Sequence, residues 1–140
     1  MMLRSLAAAC AACAACVAIM TGCNSEGYIT DQSNIETYVK NLTLCGDKYL
    51  TIASGGATRS VPLEALSRIV MANEETRTIN GQLYFCASVE FRDGTKLDAK
   101  TKSNSPLTYI LVGSSLCGDS QKGHYSIGLA NVSKVIIKGN

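Results

Sequence analysis

The sequence predicts an all-β domain: a small barrel or sandwich of about eight strands with an internal repeat, preceded by a short N-terminal helix. Three observations predict it. Turn signals recur at roughly eight- to twelve-residue intervals, the rhythm of sandwiches and barrels. Apolar and polar residues alternate along the longest uninterrupted run, Gln82 to Phe91. A twelve-residue pattern also occurs twice, at an offset of 66. With 140 residues, the chain is expected to hold one domain or less. The expected divisions are a removed leader over 1–22, an N-terminal segment with the short helix over 23–47, and the β domain over 48–140.

The elements follow in order. Ser33-x-x-Glu36 has the form of a capping box, and Ile35, Tyr38, Val39 and Leu42 follow at the spacing of one helical face, which predicts a helix over about 34–41. Tyr49 to Ala53, the turn Ser54-Gly55-Gly56 and Thr58 to Leu63 predict a hairpin. Thr76 to Ile79, Asn80-Gly81 and the run from Gln82 predict a second, since Asn-Gly suits a type I′ turn. Phe91 to Leu97, turning at Asp93-Gly94, predicts a third. Leu83, Phe85, Ala87, Val89 and Phe91 form the apolar face of the long strand, with Cys86 on the mostly polar one. Tyr109 to Val112 is continuously apolar and reads as a central strand.

The repeat aligns Ser60 to Met71 with Ser126 to Ile137 without a gap. Three residues are identical in the two copies: Ser60/Ser126, Leu63/Leu129 and Ser67/Ser133. Each copy reads as a strand ending near Leu, a tight turn or single helical turn, and a new strand starting near Ser. Pro62 and Gly128 sit where pairing must stop. The expectation is one core built from two related halves, with Leu63 and Leu129 buried and Arg68 and Lys134 in solvent. The second copy's hairpin, read from Thr108 to Leu129, carries a longer loop over 114–123, where a function would be added.

The start of the chain has its own signature. Met1 to Arg4 gives a short positive region, and Leu6 to Met20 is fifteen residues without charge, too short to span a bilayer that needs about 20. Met20-Thr21-Gly22-Cys23 follows. This leader resembles that of bacterial lipoproteins, whose lipobox has an aliphatic residue, two small ones and an invariant cysteine. The resemblance covers the first 23 residues. It implies diacylglycerol on the Cys23 thiol, cleavage before it, and an anchor to the membrane at about 0.8 kcal/mol per buried methylene. Asn24 in place of Asp points, by the same resemblance, to the outer membrane and its periplasmic face. The mature chain of 118 residues then carries twelve basic side chains against eleven acidic ones.

Secretion sets the cysteine arithmetic. Cys45, Cys86 and Cys117 remain, an odd number in an oxidising compartment. Cys45 and Cys117 share the tetrapeptide Leu-Cys-Gly-Asp, a turn signal, and are the preferred disulfide pair; Cys86 with either partner, or no bridge, are the alternatives. Near-neutral charge without basic clusters gives no nucleic-acid footprint. One histidine and no phosphate loop, zinc-protease helix or dinucleotide fingerprint exclude most familiar enzyme classes. No cofactor, no metal and no catalytic residue is assigned. The leading expectation is a non-enzymatic binding or assembly module at the cell envelope, meeting a protein or glycan through loops or a sheet edge. The rival is a small thiol- or metal-dependent enzyme using Cys117 and His124.

Overall fold

Most of the turn signals in the sequence mark reversals into an antiparallel strand, but Gly118-Asp119 stands inside one, Ser115–Ser120. The computed structural model describes residues 25–139; the leader and Cys23 lie outside the described residues. Among the described residues eleven strands are formed: β1 (Ser25–Asp31), β2 (Glu36–Leu44), β3 (Leu50–Ser54), β4 (Ala57–Val61), β5 (Leu66–Ile79), β6 (Gln82–Phe91), β7 (Lys96–Leu97), β8 (Thr108–Leu111), β9 (Ser115–Ser120), β10 (Gly123–Gly128) and β11 (Val132–Lys138). They make one sheet in the order β10-β9-β2-β1-β11-β5-β6-β8-β3-β4, with β7 added beside β6. The two ends of the sheet, β4 and β10, do not pair with each other, so it is open.

That order has a centre. β11 and β5 pair through Val135 opposite Ile69, which are equivalent residues of the two repeat copies. A local twofold through this pair exchanges β11 with β5, β1 with β6, β2 with β8, β9 with β3 and β10 with β4. The detail follows at the offset of 66. Leu50 faces Val61 in one hairpin and Leu116 faces Ile127 in the other. Single 3-10 turns follow at Leu63–Ala65 and Leu129–Asn131, entered through Pro62 (φ −69°, ψ 145°) and Gly128 (φ −68°, ψ 142°). The next strand slips register between Leu66 and Arg68 in one half and between Val132 and Lys134 in the other. Arg92 N–H donates to the Ala65 carbonyl and Gln32 N–H to the Asn131 carbonyl, each at 3.0 Å. The halves differ in connection: β5 and β6 are joined by the Asn80-Gly81 turn, whereas β11 and β1, at the two ends of the described residues, lie side by side with Lys138 opposite Glu26.

One buried apolar cluster receives side chains from both halves, including Ile29, Ile52, Leu66, Ile69, Ile110, Leu116, Val132 and Val135. A sheet face buries such residues only against other apolar side chains, so the two halves cover each other's inner faces. Leu63 and Leu129 are 4% and 1% exposed and fill equivalent places below the 3-10 turns, as the repeat predicts. Arg68 is exposed, and Lys134, on the same outer face, is half-buried.

Three expectations are corrected. The helix over 34–41 is not formed. The Asp31 carboxylate accepts the N–H groups of Ser33 (2.8 Å) and Ile35 (3.1 Å), Asn34 sits at φ 65°, and the chain turns into β2. The three-residue step from Val39 to Leu42 that looked helical is a bulge: Asn41 has φ 54°, and the register against β1 shifts between Gly27 opposite Val39 and Ser25 opposite Leu42. The boundary at 47/48 does not separate an appendage from the domain, because β1 and β2 stand inside the sheet between β9 and β11. The enlarged loop over 114–123 is absent: Ser115–Ser120 is β9, the turn is the two residues Gln121-Lys122, and β8 pairs with β6 and β3. The mostly polar face of β6 that carries Cys86 is covered. Segment 98–107 crosses the outer face of β6 there, and the Cys86 thiol donates to the Ala99 carbonyl at 3.2 Å.

Candidate functional site

A cleft of about 600 Å³ is made where β2 meets the tip of the β9–β10 hairpin. One wall is Ile35, Glu36, Tyr38 and Lys40, and the other is Asp119, Gln121 and Lys122. The walls are rigid for local reasons. Ser120 Oγ donates to the Gly123 carbonyl at 2.9 Å, and Gly123 adopts φ 118°, which a residue with a Cβ rarely tolerates. Asn41 Nδ2 donates to Asp119 Oδ2 at 2.9 Å, tying hairpin to strand. Gly118 lets the two backbones approach, since a Cβ there would lie 2.6 Å from the Lys40 carbonyl oxygen and collide with Val39 Cγ1.

Apolar surface is displayed at the mouth. Ile35 is 60% exposed at the β1–β2 turn, where the sharp reversal leaves it no inner face to join. Tyr38 packs on Tyr28 with ring centroids 5.1 Å apart, and Lys138 Nζ lies 5.8 Å and 6.0 Å from the two rings. The twofold-related place in the other half is also a cleft, of about 350 Å³, between the Gly55-Gly56 turn and Tyr109. There Arg77 lies 5.8 Å from the Tyr109 ring. Each half thus sets a tyrosine beneath a cation next to a hairpin tip; the first cleft differs in having Gln121-Lys122 where the second has two glycines.

The cysteines resolve as the preferred alternative. Cys45 and Cys117 are bridged with Cα atoms 5.3 Å apart, Cys45 extending β2 so that its N–H donates to the Ser115 carbonyl at 2.9 Å. Cys86 is free and buried, and burial pushes its thiol up from the usual range. His124 stands on β10 opposite Asp119, with Nδ1 3.9 Å from Oδ1 and both side chains more than half exposed. Cys117, on the neighbouring strand, has its sulfur in the bridge and no thiol to act as a nucleophile beside that histidine. Among the described residues no group of three His, Cys, Asp or Glu stands together as a metal site. Glu75 pairs with Lys100 at 3.9 Å. Tyr125, on β10, has its hydroxyl pushed up by burial, against the opposing effect of a hydrogen bond from Thr37.

Sequence reasoning placed Cys45, Cys117, His124 and Asp119 on adjoining segments but missed Ile35, Tyr38, Gln121 and Lys122 as neighbours. No local signal connects them, because the β2–β9 pairing that does so spans about 80 residues. No protein-family model, curated protein or solved structure matches the chain.

Proposed function

We propose that this chain is a lipid-anchored protein of the bacterial cell envelope, outer-membrane bound and facing the periplasm, whose β domain is a non-enzymatic binding module. The anchor reading rests on Met20-Thr21-Gly22-Cys23 after an uncharged run. The single observation that carries the binding reading is the cleft beside Tyr38: exposed Ile35 and a tyrosine offer apolar contact, while Glu36, Lys40, Gln121 and Lys122 surround them with donors and acceptors. Few polar groups around an apolar floor fix a ligand's orientation without doing chemistry on it. A sugar chain of the cell wall fits this mixture, pairing its apolar faces with the aromatic ring and its hydroxyls with the rim.

The anchor is tested by fatty-acid labelling: Cys23→Ser should abolish incorporation and leave the membrane fraction. For the cleft, co-sedimentation of residues 23–140 with purified peptidoglycan sacculi should be lost in Ile35→Ala plus Tyr38→Ala with the fold retained. Unchanged co-sedimentation would remove the cleft from the reading. A second reading is favoured by the sheet's two open edges: β10 ends the sheet with Gly123 to Gly128 pairing on one side only. An extended segment of an envelope protein would add there as a further strand. Proline at Ser126, on that edge, should weaken such a partner and leave sacculus binding unchanged.

A further inference from the structure

We infer that the domain does not swing on a tether but sits directly on the lipid headgroups, with one end of the sheet as its membrane face. This inference rests on the lipid-anchor reading of Cys23. Ser25 already belongs to β1, paired opposite Leu42 and only 7% exposed, so a single residue, Asn24, separates the acylated cysteine from the folded sheet. Two residue steps reach at most about 7 Å. The headgroup layer on one side of a bilayer is about as deep. Whatever surrounds Ser25 is therefore held in contact with the headgroups.

What surrounds it suits that place. Lys138 ends the neighbouring strand, and the next residue, Gly139, lies against the guanidinium of Arg92. Arg92 Nε in turn donates to the Glu64 carbonyl at 2.6 Å. A cleft at this end joins Ser25 to Lys48, Tyr49, Pro62 and Glu64. Tyr49 is 53% exposed, a large amphipathic ring of the kind that settles between headgroups. Lys138 stands opposite Glu26, and Asp47, Lys48 and Glu64 line the cleft, so both signs of charge are present at this end. It suits a zwitterionic surface with no demand for anionic lipid. β5 starts at this end, since Arg68 pairs with Ile136 and Leu66 stands level with Lys138. Its far end, the Asn80-Gly81 turn, is carried about 40 Å along the strand, less its bend, away from the membrane.

The chain has no tryptophan, so single-tryptophan variants of the lipidated protein report position cleanly. Tyr49→Trp and Thr78→Trp are reconstituted in phosphatidylethanolamine–phosphatidylglycerol vesicles with and without headgroup spin-labelled lipid. Tyr49→Trp should lose at least half of its emission to the spin label and shift to the blue, while Thr78→Trp should lose less than a tenth. Equal weak quenching at both positions, with the protein floating on the vesicles, overturns the membrane face and leaves the anchor standing. Stronger quenching at Thr78→Trp overturns the orientation. Protein that neither floats nor takes up labelled fatty acid overturns the anchor itself, and the inference with it.

Discussion

If the two repeat copies occupy equivalent places in one core, Leu63→Ala and Leu129→Ala should cost the same. Their exposures are 4% and 1%, each lies under a 3-10 turn of matching backbone, and each turn closes through the N–H of the residue after it onto the Leu carbonyl. Removing such a side chain loses its transfer energy and leaves a cavity, typically 2–5 kcal/mol in all. For about 115 ordered residues the unfolding entropy is on the order of 0.24 kcal/mol per degree, so a loss of about 3 kcal/mol lowers Tm by roughly 12 °C. Arg68→Ala and Lys134→Ala, on the outer face, should each cost under about 0.5 kcal/mol. Urea unfolding of residues 23–140 measures all four. One leucine variant as silent as the basic ones, or a difference above about 2 kcal/mol between the leucines, would refute the equivalence.

Three further outcomes are expected. Replacing Cys45 and Cys117 together by Ser should lower stability by about 4 kcal/mol on the chain-entropy account, because the bridge closes a separation of 72 residues; calorimetry with and without reductant reads it. Gly118→Ala should destabilise by more than the half to one kcal/mol that an ordinary strand glycine would gain, since the added carbon meets the Lys40 carbonyl and Val39; denaturant midpoints check the sign. With Cys23 replaced by Ser, residues 23–140 should show no thiol to Ellman's reagent when native and one, Cys86, when unfolded without reductant. Burial favours the neutral thiol in the fold. Its contribution is therefore complete below the ordinary thiol pKa and is lost as pH rises beyond it, which a stability profile across alkaline pH would record.

The strands were legible wherever turn chemistry is local. Asn80-Gly81 and Gly55-Gly56 announce their hairpins, and the alternation from Leu83 to Phe91 gives the core face of β6, with Phe85, Ala87 and Val89 inside. The Gln121-Lys122 turn was missed because neither residue favours a turn; Ser120 and Gly123 make it through a side-chain hydrogen bond and a left-handed backbone. Val39 and Leu42 imitated a helix because a bulge changes the period from two to three for one step. The repeat was read over 60–71 and 126–137, yet the structure carries it back to Leu50 and Leu116, where backbone conformation persists after most side chains have changed. The cleft had no legible precursor, since its two walls meet only through strand pairing across the whole chain.

β11 follows the other described strands in sequence, yet it fills the slot between β1 and β5. Until it is in place, the β1–β2 hairpin has no neighbour on that side and the sheet lacks its middle rung. Contacts of such long sequence separation form slowly. However early the hairpins form, the two halves of the sheet therefore stay unjoined until β11 is inserted between β1 and β5.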